Sequence, residues 1–275
     1  MSRARRLGQE AGPGSMGASD RRCTTSGCFV PAGERQVVSL ARLTVEFEPK
    51  CDGPRWVAYF DLLGMTQELQ DKRYLAVFGA YQRAVEQLEH IRGDHTRVHH
   101  TWFSDTFVLA TIDDSGPSFT EIELVSRWFA YFLIEAQIPL RGAIACGHMY
   151  ADFANRIFIG EALVEAYLYG EAQDWVGYVL CPSTTRTMEC LGIPVDQRLH
   201  YALWSPQWSK RAPAGVPDRL SACLLGSWIT LSGQNPIRAR LQEMAARHKP
   251  GKIRAKYERA VQFLDNNPYR VVHDG

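Results

Sequence analysis

The stretch that decides the fold is WVAYFDLLG, residues 56–64. Its first five residues are apolar or aromatic and include the β-branched Val57, a pattern typical of a strand buried on both faces. Such a strand has no structural need for a carboxylate, yet Asp61 follows where the apolar run ends and a turn through Gly64 begins. This position places Asp61 at the carboxyl edge of a sheet, where open α/β sheets bind ligands.

A second carboxylate has a comparable position in TWFSDTFVLA, residues 101–110. Two strand-like runs meet there at Ser104 and Asp105, which predicts a β-hairpin with both residues at its tip. Carboxylates at two adjacent strand ends would form a site for divalent cations that prefer oxygen ligands. Each residue also has an ordinary interpretation, since Asp61 could cap the next helix and Asp105 could be a turn residue. Those interpretations do not explain why both carboxylates lie between apolar strand residues.

The composition is that of an ordinary globular protein. The chain has 275 residues, of which 45% are hydrophobic, enough to form a large core. Its 31 basic and 30 acidic side chains give a formal charge of +1, so we expect neither nucleic acid nor a membrane as a partner. The seven cysteines are scattered and odd in number, and no apolar segment follows the basic residues near the start. We therefore expect a cytoplasmic protein without a signal peptide.

The order of the predicted elements indicates an α+β sandwich. After the buried strand come an amphipathic helix, the hairpin, a second helix, a strand interrupted by glycine over 139–147, a short strand, a third helix and a strand that stops at Pro182. This is the order of the ferredoxin-like fold. The predicted parts of the chain are a disordered leader over residues 1–40, a main domain over 41–185, and a mainly helical C-terminal extension packed on it over 186–275.

Several motifs of the main domain together resemble the catalytic domain of the class III nucleotidyl cyclases. The matching motifs are FDLLG at 60–64, FSDT at 103–106, RGAI at 141–144 with Gly147, and GEAL at 160–163 leading into Ala166. More narrowly, residues 160–177 resemble the pyrimidine cyclases of bacterial Pycsar anti-phage systems. The resemblance covers residues 54–185, or half of the chain.

The resemblance implies a metal-dependent cyclase that converts UTP to 3′,5′-cyclic UMP and pyrophosphate as a second messenger in anti-phage defence. It also implies two Mn²⁺ or Mg²⁺ ions per site, a homodimer with the active site at its interface, and a separate effector that senses the cyclic nucleotide. Three alternatives stay open at this point. They are a cytidylate cyclase that makes cyclic CMP, a non-catalytic nucleotide-binding or dimerisation module of the same fold, and another two-metal phosphoryl-transfer enzyme.

The expected site residues follow from the same motifs. Asp61 and Asp105 are expected to be the catalytic carboxylates that hold the cations, with the backbone carbonyl of Leu62 as a further metal ligand. The turn that begins at Leu62 is expected to offer backbone N–H groups to phosphate. The residues expected to bind substrate are Phe60, Leu63, Gly64, Ser104, Arg141 and Tyr167.

The sequence departs from the class III pattern on the helix after Gly160. That helix usually carries an asparagine and an arginine, which hold the ribose and stabilise the transition state across the dimer interface. Here the matching positions are Val164–Glu165 and Leu168–Tyr169, so neither residue carries over. Arg141 or Arg156 could supply the missing positive charge. The departure affects the rate and the choice of base more than it affects metal binding.

Overall fold

The buried strand predicted around Asp61 lies in the interior of a mixed sheet. A computed structural model describes residues 52–64, 74–92, 97–152, 155, 157–193, 200–209, 211–223 and 236–267. The chain divides into two units, Met1–Phe47 and Glu48–Gly275, and every described residue belongs to the second. The leader predicted over residues 1–40 therefore lies outside the described residues.

Eight strands and six helices are formed by the described residues. The strands are β1 (Asp52–Leu62), β2 (Val98–Phe103), β3 (Thr106–Thr111), β4 (Leu140–Asp152), β5 (Ile157–Gly160), β6 (Gly177–Leu180), β7 (Tyr201–Trp204) and β8 (Leu220–Cys223). The helices are α1 (Tyr74–Arg92), α2 (Gly116–Glu135), α3 (Glu161–Ala172), α4 (Pro182–Cys190), α5 (Pro236–Ala246) and α6 (Lys252–Asn266). Across the described ranges, no helix has both the length and the apolar character that a membrane span requires.

The strands form one sheet in the order β2-β3-β1-β4-β6-β8-β7, with β5 paired to β4. Within β2-β3-β1-β4, every strand is antiparallel to its neighbours. The helix α1 connects β1 to β2, and α2 connects β3 to β4. This is the ferredoxin-like arrangement, so the predicted α+β fold is confirmed.

The central strand β1 has a different helix against each of its faces. Its last eight residues are all buried, as predicted for a strand covered on both sides. Phe60 contacts Phe129 of α2, with ring centroids 5.5 Å apart. Tyr59 points to the opposite face and contacts Tyr167 of α3, also at 5.5 Å. Because side chains alternate along a strand, Asp61 shares the face of Tyr59, next to α3.

Two glycines allow β4 and α3 to approach Tyr59 closely. A Cβ atom at Gly142 of β4 would lie 2.4 Å from the carbonyl oxygen of Tyr59. A Cβ atom at Gly170 of α3 would lie 2.7 Å from the ring of Tyr59. The close approach predicted for the glycine-interrupted strand is therefore present, and it brings α3 near the end of β1 where Asp61 lies.

The segment after residue 185 contributes strands as well as helices to the main domain. β8 pairs with β6 at Ala222 and Val179, and β7 pairs with β8. The sequence pattern predicts helices in this segment but neither strand, because runs of four residues are too short to show a strand period. Apolar packing joins the same segment to the sheet, since Trp175 contacts both Trp204 and Phe263, with ring centroids 5.6 and 5.2 Å apart.

Candidate active site

The carboxyl end of β1 opens into a cleft of about 410 Å³. Its walls are the end of β1 with the turn that follows, the tip of the β2–β3 hairpin, the start of β4, and α3. The residues that line it are Tyr59, Asp61, Leu62, Leu63, Gly64, Asp105, Thr106, Arg141, Tyr167 and Glu171. The cleft therefore includes all of the expected metal-binding and substrate-binding residues except Phe60 and Ser104.

Strand pairing brings the two aspartates to the same cleft. Asp61 pairs with Thr106 of β3 on one side and with Arg141 of β4 on the other. One residue further on, the backbone N–H of Leu62 donates to the carbonyl of Asp105 at 2.8 Å. The predicted hairpin tip is thus hydrogen-bonded to the end of β1, and the carboxylates of both strands line one cleft.

Arg141 is the centre of the hydrogen bonding in the cleft. Its Nε donates to Asp61 Oδ2 at 2.9 Å, and its Nη2 donates to Glu171 Oε1 at 2.7 Å. Its Nη1 donates to the backbone carbonyls of Glu171 and Gln173, at 2.6 and 3.3 Å. The hydroxyl of Tyr59 donates to Glu171 Oε1 at 3.2 Å. The three charged side chains are only 11–16% exposed, so solvent screens these interactions weakly.

The electrostatics of the cleft disfavour an ionised Asp61. Burial raises the pKa of the Asp61 carboxyl to about 6, and although Arg141 opposes this shift, the negative charges of Glu171 and Asp105 reinforce it. Burial, together with the charges of Glu171 and Asp61, also raises the pKa of the Tyr59 phenol above its usual range. Tyr59 is therefore neutral at physiological pH and remains a hydrogen-bond donor.

The donor set of the cleft fits a divalent cation that prefers oxygen. Among the described residues that line it, three carboxylates face one guanidinium, so the lining carries an excess of negative charge. Asp61 Oδ2 accepts from Arg141, while Oδ1 accepts no hydrogen bond from the described residues. The described part of the chain contains no group of three or more His, Cys, Asp or Glu side chains that could hold a metal ion. Mg²⁺ commonly binds through one or two carboxylates together with substrate phosphates, and the cleft suits that mode.

Two of the backbone N–H groups in the described part of the turn after β1, which were expected to meet phosphate, already have partners. The N–H groups of Leu62 and Leu63 already donate to the carbonyls of Asp105 and Pro139, each at 2.8 Å. Of the described turn residues, Gly64 is the one whose N–H remains for a ligand. Its φ of 87° lies in the left-handed region, which explains why the turn needs glycine there.

The expected role of Phe60 in substrate binding does not fit its position. Its side chain is fully buried and contacts Phe129 and Tyr178, with ring centroids 5.5 Å from each. Neighbouring residues of a strand point to opposite faces, so Phe60 must face away from the cleft if Asp61 faces into it. Phe60 belongs to the core under α2.

Of the other expected residues, some line the cleft and some do not. Tyr167 lines the cleft from α3 and is 46% exposed. Ser104 lies in the hairpin turn with a φ of 55° and is not among the residues that line the cleft. Arg156, one of the two candidates for the missing positive charge, lies outside the described residues. Arg141, the other candidate, is in the cleft.

Three residues of the cleft were missed by the sequence analysis. Tyr59 could have been found from strand alternation, because it lies two positions before Asp61 on the same face. Thr106 is the strand partner of Asp61, and only the register reveals this. Glu171 follows Tyr167 by four residues in α3, a spacing that places both on one face of a helix. Any helix face that presents Tyr167 to the cleft therefore presents Glu171 as well.

No family model and no curated protein matches the chain. Among solved structures, it is similar to the monomeric guanylyl cyclase domain of the RhoGC fusion protein from the aquatic fungus Blastocladiella emersonii, with 11% identity over 63% of this chain and 95% of that chain and a TM-score of 0.46. It is also similar to the adenylyl cyclase CyaB from P. aeruginosa, with 11% identity over 62% of this chain and 92% of that chain and a TM-score of 0.43.

Proposed function

We propose that the chain is a divalent-cation-dependent nucleotidyl cyclase, which converts a nucleoside triphosphate to a 3′,5′-cyclic nucleotide and pyrophosphate. The observation that carries the proposal is that Asp61 and Asp105 line one cleft, together with the guanidinium of Arg141 from the neighbouring strand β4. The sequence motifs that contain these residues are also those that resemble the class III cyclases. Together, the motifs and the cleft favour phosphoryl chemistry over a purely structural role for the carboxylates.

The reaction needs positioning and charge neutralisation more than covalent chemistry. The ribose 3′-hydroxyl attacks the α-phosphorus of the same molecule in line with the departing pyrophosphate. Asp61 and Asp105 would hold two Mn²⁺ or Mg²⁺ ions, with the backbone carbonyl of Leu62 as a further ligand. When bound, such ions lower the pKa of the attacking hydroxyl and neutralise charge on the phosphates.

Arg141 and Gly64 would meet the phosphates of the substrate. The guanidinium of Arg141 is held by Glu171 and by two backbone carbonyls, so it is oriented before substrate binds. Four of its five N–H groups already have partners within the cleft, so one N–H of Nη2 remains to donate to a phosphate oxygen, while the positive charge attracts the phosphates. The N–H of Gly64 adds a neutral donor at the mouth of the cleft. These groups would orient the triphosphate without taking part in proton transfer.

We propose UTP as the substrate and cyclic UMP as the product, with CTP and cyclic CMP as the alternative. This choice is supported by the resemblance of residues 160–177 to the pyrimidine cyclases of anti-phage systems. In that setting the cyclic nucleotide is a second messenger, and a separate effector protein senses it. The proposed defence role rests on the same resemblance.

We propose a homodimer with the active site at its interface. Helix α3 exposes three large apolar side chains whose spacing places them on one face of the helix, and monomeric proteins rarely expose such groups. They are Val164 (56%), Leu168 (47%) and Tyr167 (46%). Tyr167 also lines the cleft, so this apolar surface reaches the site.

A second candidate function is a non-catalytic nucleotide-binding or dimerisation module. The matching turns, Val164–Glu165 and Leu168–Tyr169, lack the asparagine and arginine that class III cyclases use at the transition state, and they expose the apolar side chains of Val164 and Leu168. Apolar side chains can pack against a partner but cannot stabilise the charge that develops on phosphate. This candidate predicts nucleotide binding and dimerisation without turnover.

Turnover by the purified protein distinguishes these functions. Wild-type protein is incubated with Mn²⁺ and each of the common ribonucleoside triphosphates, and cyclic products are followed by mass spectrometry. We expect cyclic UMP from the wild type and from the control Asp265→Asn. In the wild type, Asp265 of α6 forms an exposed ion pair with Arg238 of α5. We expect no product from Asp61→Asn or Asp105→Asn. Equal product from either of those variants would contradict the proposal, and no product from the wild type would favour the non-catalytic module.

A further inference from the structure

The segment from Glu171 to Val176, which joins α3 to β6, links the cleft to the C-terminal helix α6. On the cleft side, the backbone carbonyls of Glu171 and Gln173 accept from Arg141 Nη1, and Glu171 Oε1 accepts from Nη2. Arg141 therefore donates three of its four hydrogen bonds to this segment and the fourth to Asp61. The direction in which Arg141 points depends on where the segment lies.

The opposite side of the segment is held by residues from the C-terminal part of the chain. Arg259 Nη1 donates to both the backbone carbonyl and the Oδ2 oxygen of Asp174, at 2.7 and 2.5 Å. Lys256 Nζ lies 3.7 Å from Asp174 Oδ1. Both cations belong to α6, one turn apart. Asp174 therefore connects α6 to the segment that orients Arg141.

Backbone pairing adds a second link from the loop after β7. The N–H of Asp174 donates to the carbonyl of Gln207 at 2.8 Å, and the N–H of Ser209 donates to the carbonyl of Ala172 at 2.7 Å. These bonds explain why the segment keeps an extended path after α3 ends. They do not restrain the Asp174 side chain, for which α6 provides both basic partners.

Within the segment, the buried side-chain amide of Gln173 is hydrogen-bonded to residues on both sides of it. Gln173 is fully buried. Its Nε2 donates to the carbonyls of Gly142 and Tyr169, and its Oε1 accepts from the indole N–H of Trp175 at 2.6 Å. Trp175 in turn contacts Phe263 of α6, with ring centroids 5.2 Å apart. A displacement of α6 would therefore move the carbonyl of Gln173 and the groups beside it.

We propose that Arg259 of α6 is a positioning residue for the cleft, which acts through Asp174 to hold the 171–176 segment where it orients the Arg141 guanidinium toward Asp61. The effect on catalysis rests on the proposed cyclase function, whereas the effect on the geometry of Arg141 does not. By this inference, helix α6 supports the active site although none of its residues lines the cleft. Its removal or displacement would change the cleft without touching any residue that lines it.

The expected effect is on substrate binding more than on the chemical step. Arg141 would contact the phosphates in both the bound substrate and the transition state, and loss of an interaction made in both raises KM and leaves kcat nearly unchanged. Displacements of about 1 Å at a positioning group can cost up to about a hundredfold. Because Gln173 and the loop after β7 still restrain the segment, we expect a rise in KM of about tenfold in Arg259→Ala.

The test compares Arg259→Ala with Arg259→Lys and Arg238→Ala. Both hydrogen bonds of Arg259 are donated by the single nitrogen Nη1, so the one ammonium nitrogen of lysine can make them, and Arg259→Lys should preserve the wild-type behaviour. Arg238→Ala removes a similar ion pair, with Asp265 between α5 and α6, that does not reach the 171–176 segment. The first measurement is the hydrogen exchange rate of the Arg141 Nε–H by nitrogen-15 NMR, since this group donates to Asp61. The second is KM for the triphosphate with Mn²⁺ present.

We expect exchange of the Arg141 Nε–H to be about fivefold faster or more in Arg259→Ala, and to be unchanged in the other two variants. Equal exchange in Arg259→Ala and Arg238→Ala would overturn the inference. If the wild type forms no cyclic product, the proposed function fails, and the exchange measurement alone still decides the inference. If Arg259→Ala does not fold, Asp174→Asn is used instead, because it keeps the side-chain shape and removes the charge. Faster exchange of the Arg141 Nε–H in Asp174→Asn would support the inference, and unchanged exchange would overturn it.

Discussion

Asp61 is expected to destabilise the folded protein at neutral pH when no cation is bound. Burial raises the pKa of its carboxyl from the ordinary value of 3.8 to about 6, opposed by Arg141 and reinforced by Glu171 and Asp105. A change of one pH unit in a pKa corresponds to about 1.4 kcal/mol. Ionised Asp61 therefore costs the folded state about 3 kcal/mol relative to the same carboxylate in the unfolded chain.

The sign of the pH dependence follows from which state binds the proton more tightly. The pKa is higher in the folded state, so protonated Asp61 favours folding. This stabilisation is fully present below pH 3.8 and is lost as the pH rises through about 6. Asparagine resembles the protonated carboxyl in shape and charge. Asp61→Asn should therefore raise the free energy of unfolding by about 2–3 kcal/mol at neutral pH, by only about 1 kcal/mol at about pH 4.5, and by little below pH 3.8.

Urea unfolding in EDTA, followed by circular dichroism at about pH 7.5 and about pH 4.5, measures both quantities. The difference between the two proteins isolates Asp61 and its interactions with the charges beside it, because the titration of distant groups is shared. The control is Asp265→Asn, which breaks an exposed ion pair with Arg238 and should change stability by less than about 1 kcal/mol. Mn²⁺ should stabilise the wild type by mass action and leave Asp61→Asn unaffected.

The reasoning is refuted if Asp61→Asn is less stable than the wild type at neutral pH. It is equally refuted if the difference between the two proteins is the same at both pH values. A variant that gains stability and loses cyclase activity would show that the carboxylate is retained for function, at a cost to folding.

Two further predictions concern the walls of the cleft. Glu171→Gln removes a charge that raises the pKa of Asp61. A carbon-13 NMR titration of the Asp61 carboxyl should therefore give a pKa below the wild-type value of about 6. An unchanged or higher pKa would show that Glu171 does not act on Asp61 in this way. Gly142→Ala would place a Cβ atom 2.4 Å from the carbonyl oxygen of Tyr59 and should cost about 2–3 kcal/mol in urea unfolding. The control Gly147→Ala on the same strand, where the nearest atom is 3.6 Å away, should cost far less; equal losses would disprove the close approach.

The order of helices and strands could be predicted because it depends on local patterns. The apolar run before Asp61 and the two runs around Asp105 each contain enough residues to show their own period. Each carboxylate ends or interrupts such a run, so the sequence also placed it at a strand end. The strands β7 and β8 could not be found in this way, because four residues are too few to show a pattern.

The contents of the cleft depend on contacts between distant parts of the chain. Arg141 and Thr106 flank Asp61 only because of the register of β1 with its two neighbours. Glu171 enters the cleft because Gly142 and Gly170 let α3 approach Tyr59. The misassignment of Phe60 had a different origin, since strand alternation already excludes it from the face of Asp61.

The sequence by itself determined the fold class, the strand ends that carry Asp61 and Asp105, and the turn through Gly64, because these follow from hydrophobic periodicity and turn chemistry. Only the tertiary structure decided that Arg141 and Glu171 surround Asp61, that Leu62 and Leu63 have no N–H to spare, and that α6 holds the segment behind Arg141. These features depend on non-local pairing and on charges held together by burial. No local pattern in the sequence encodes such distances.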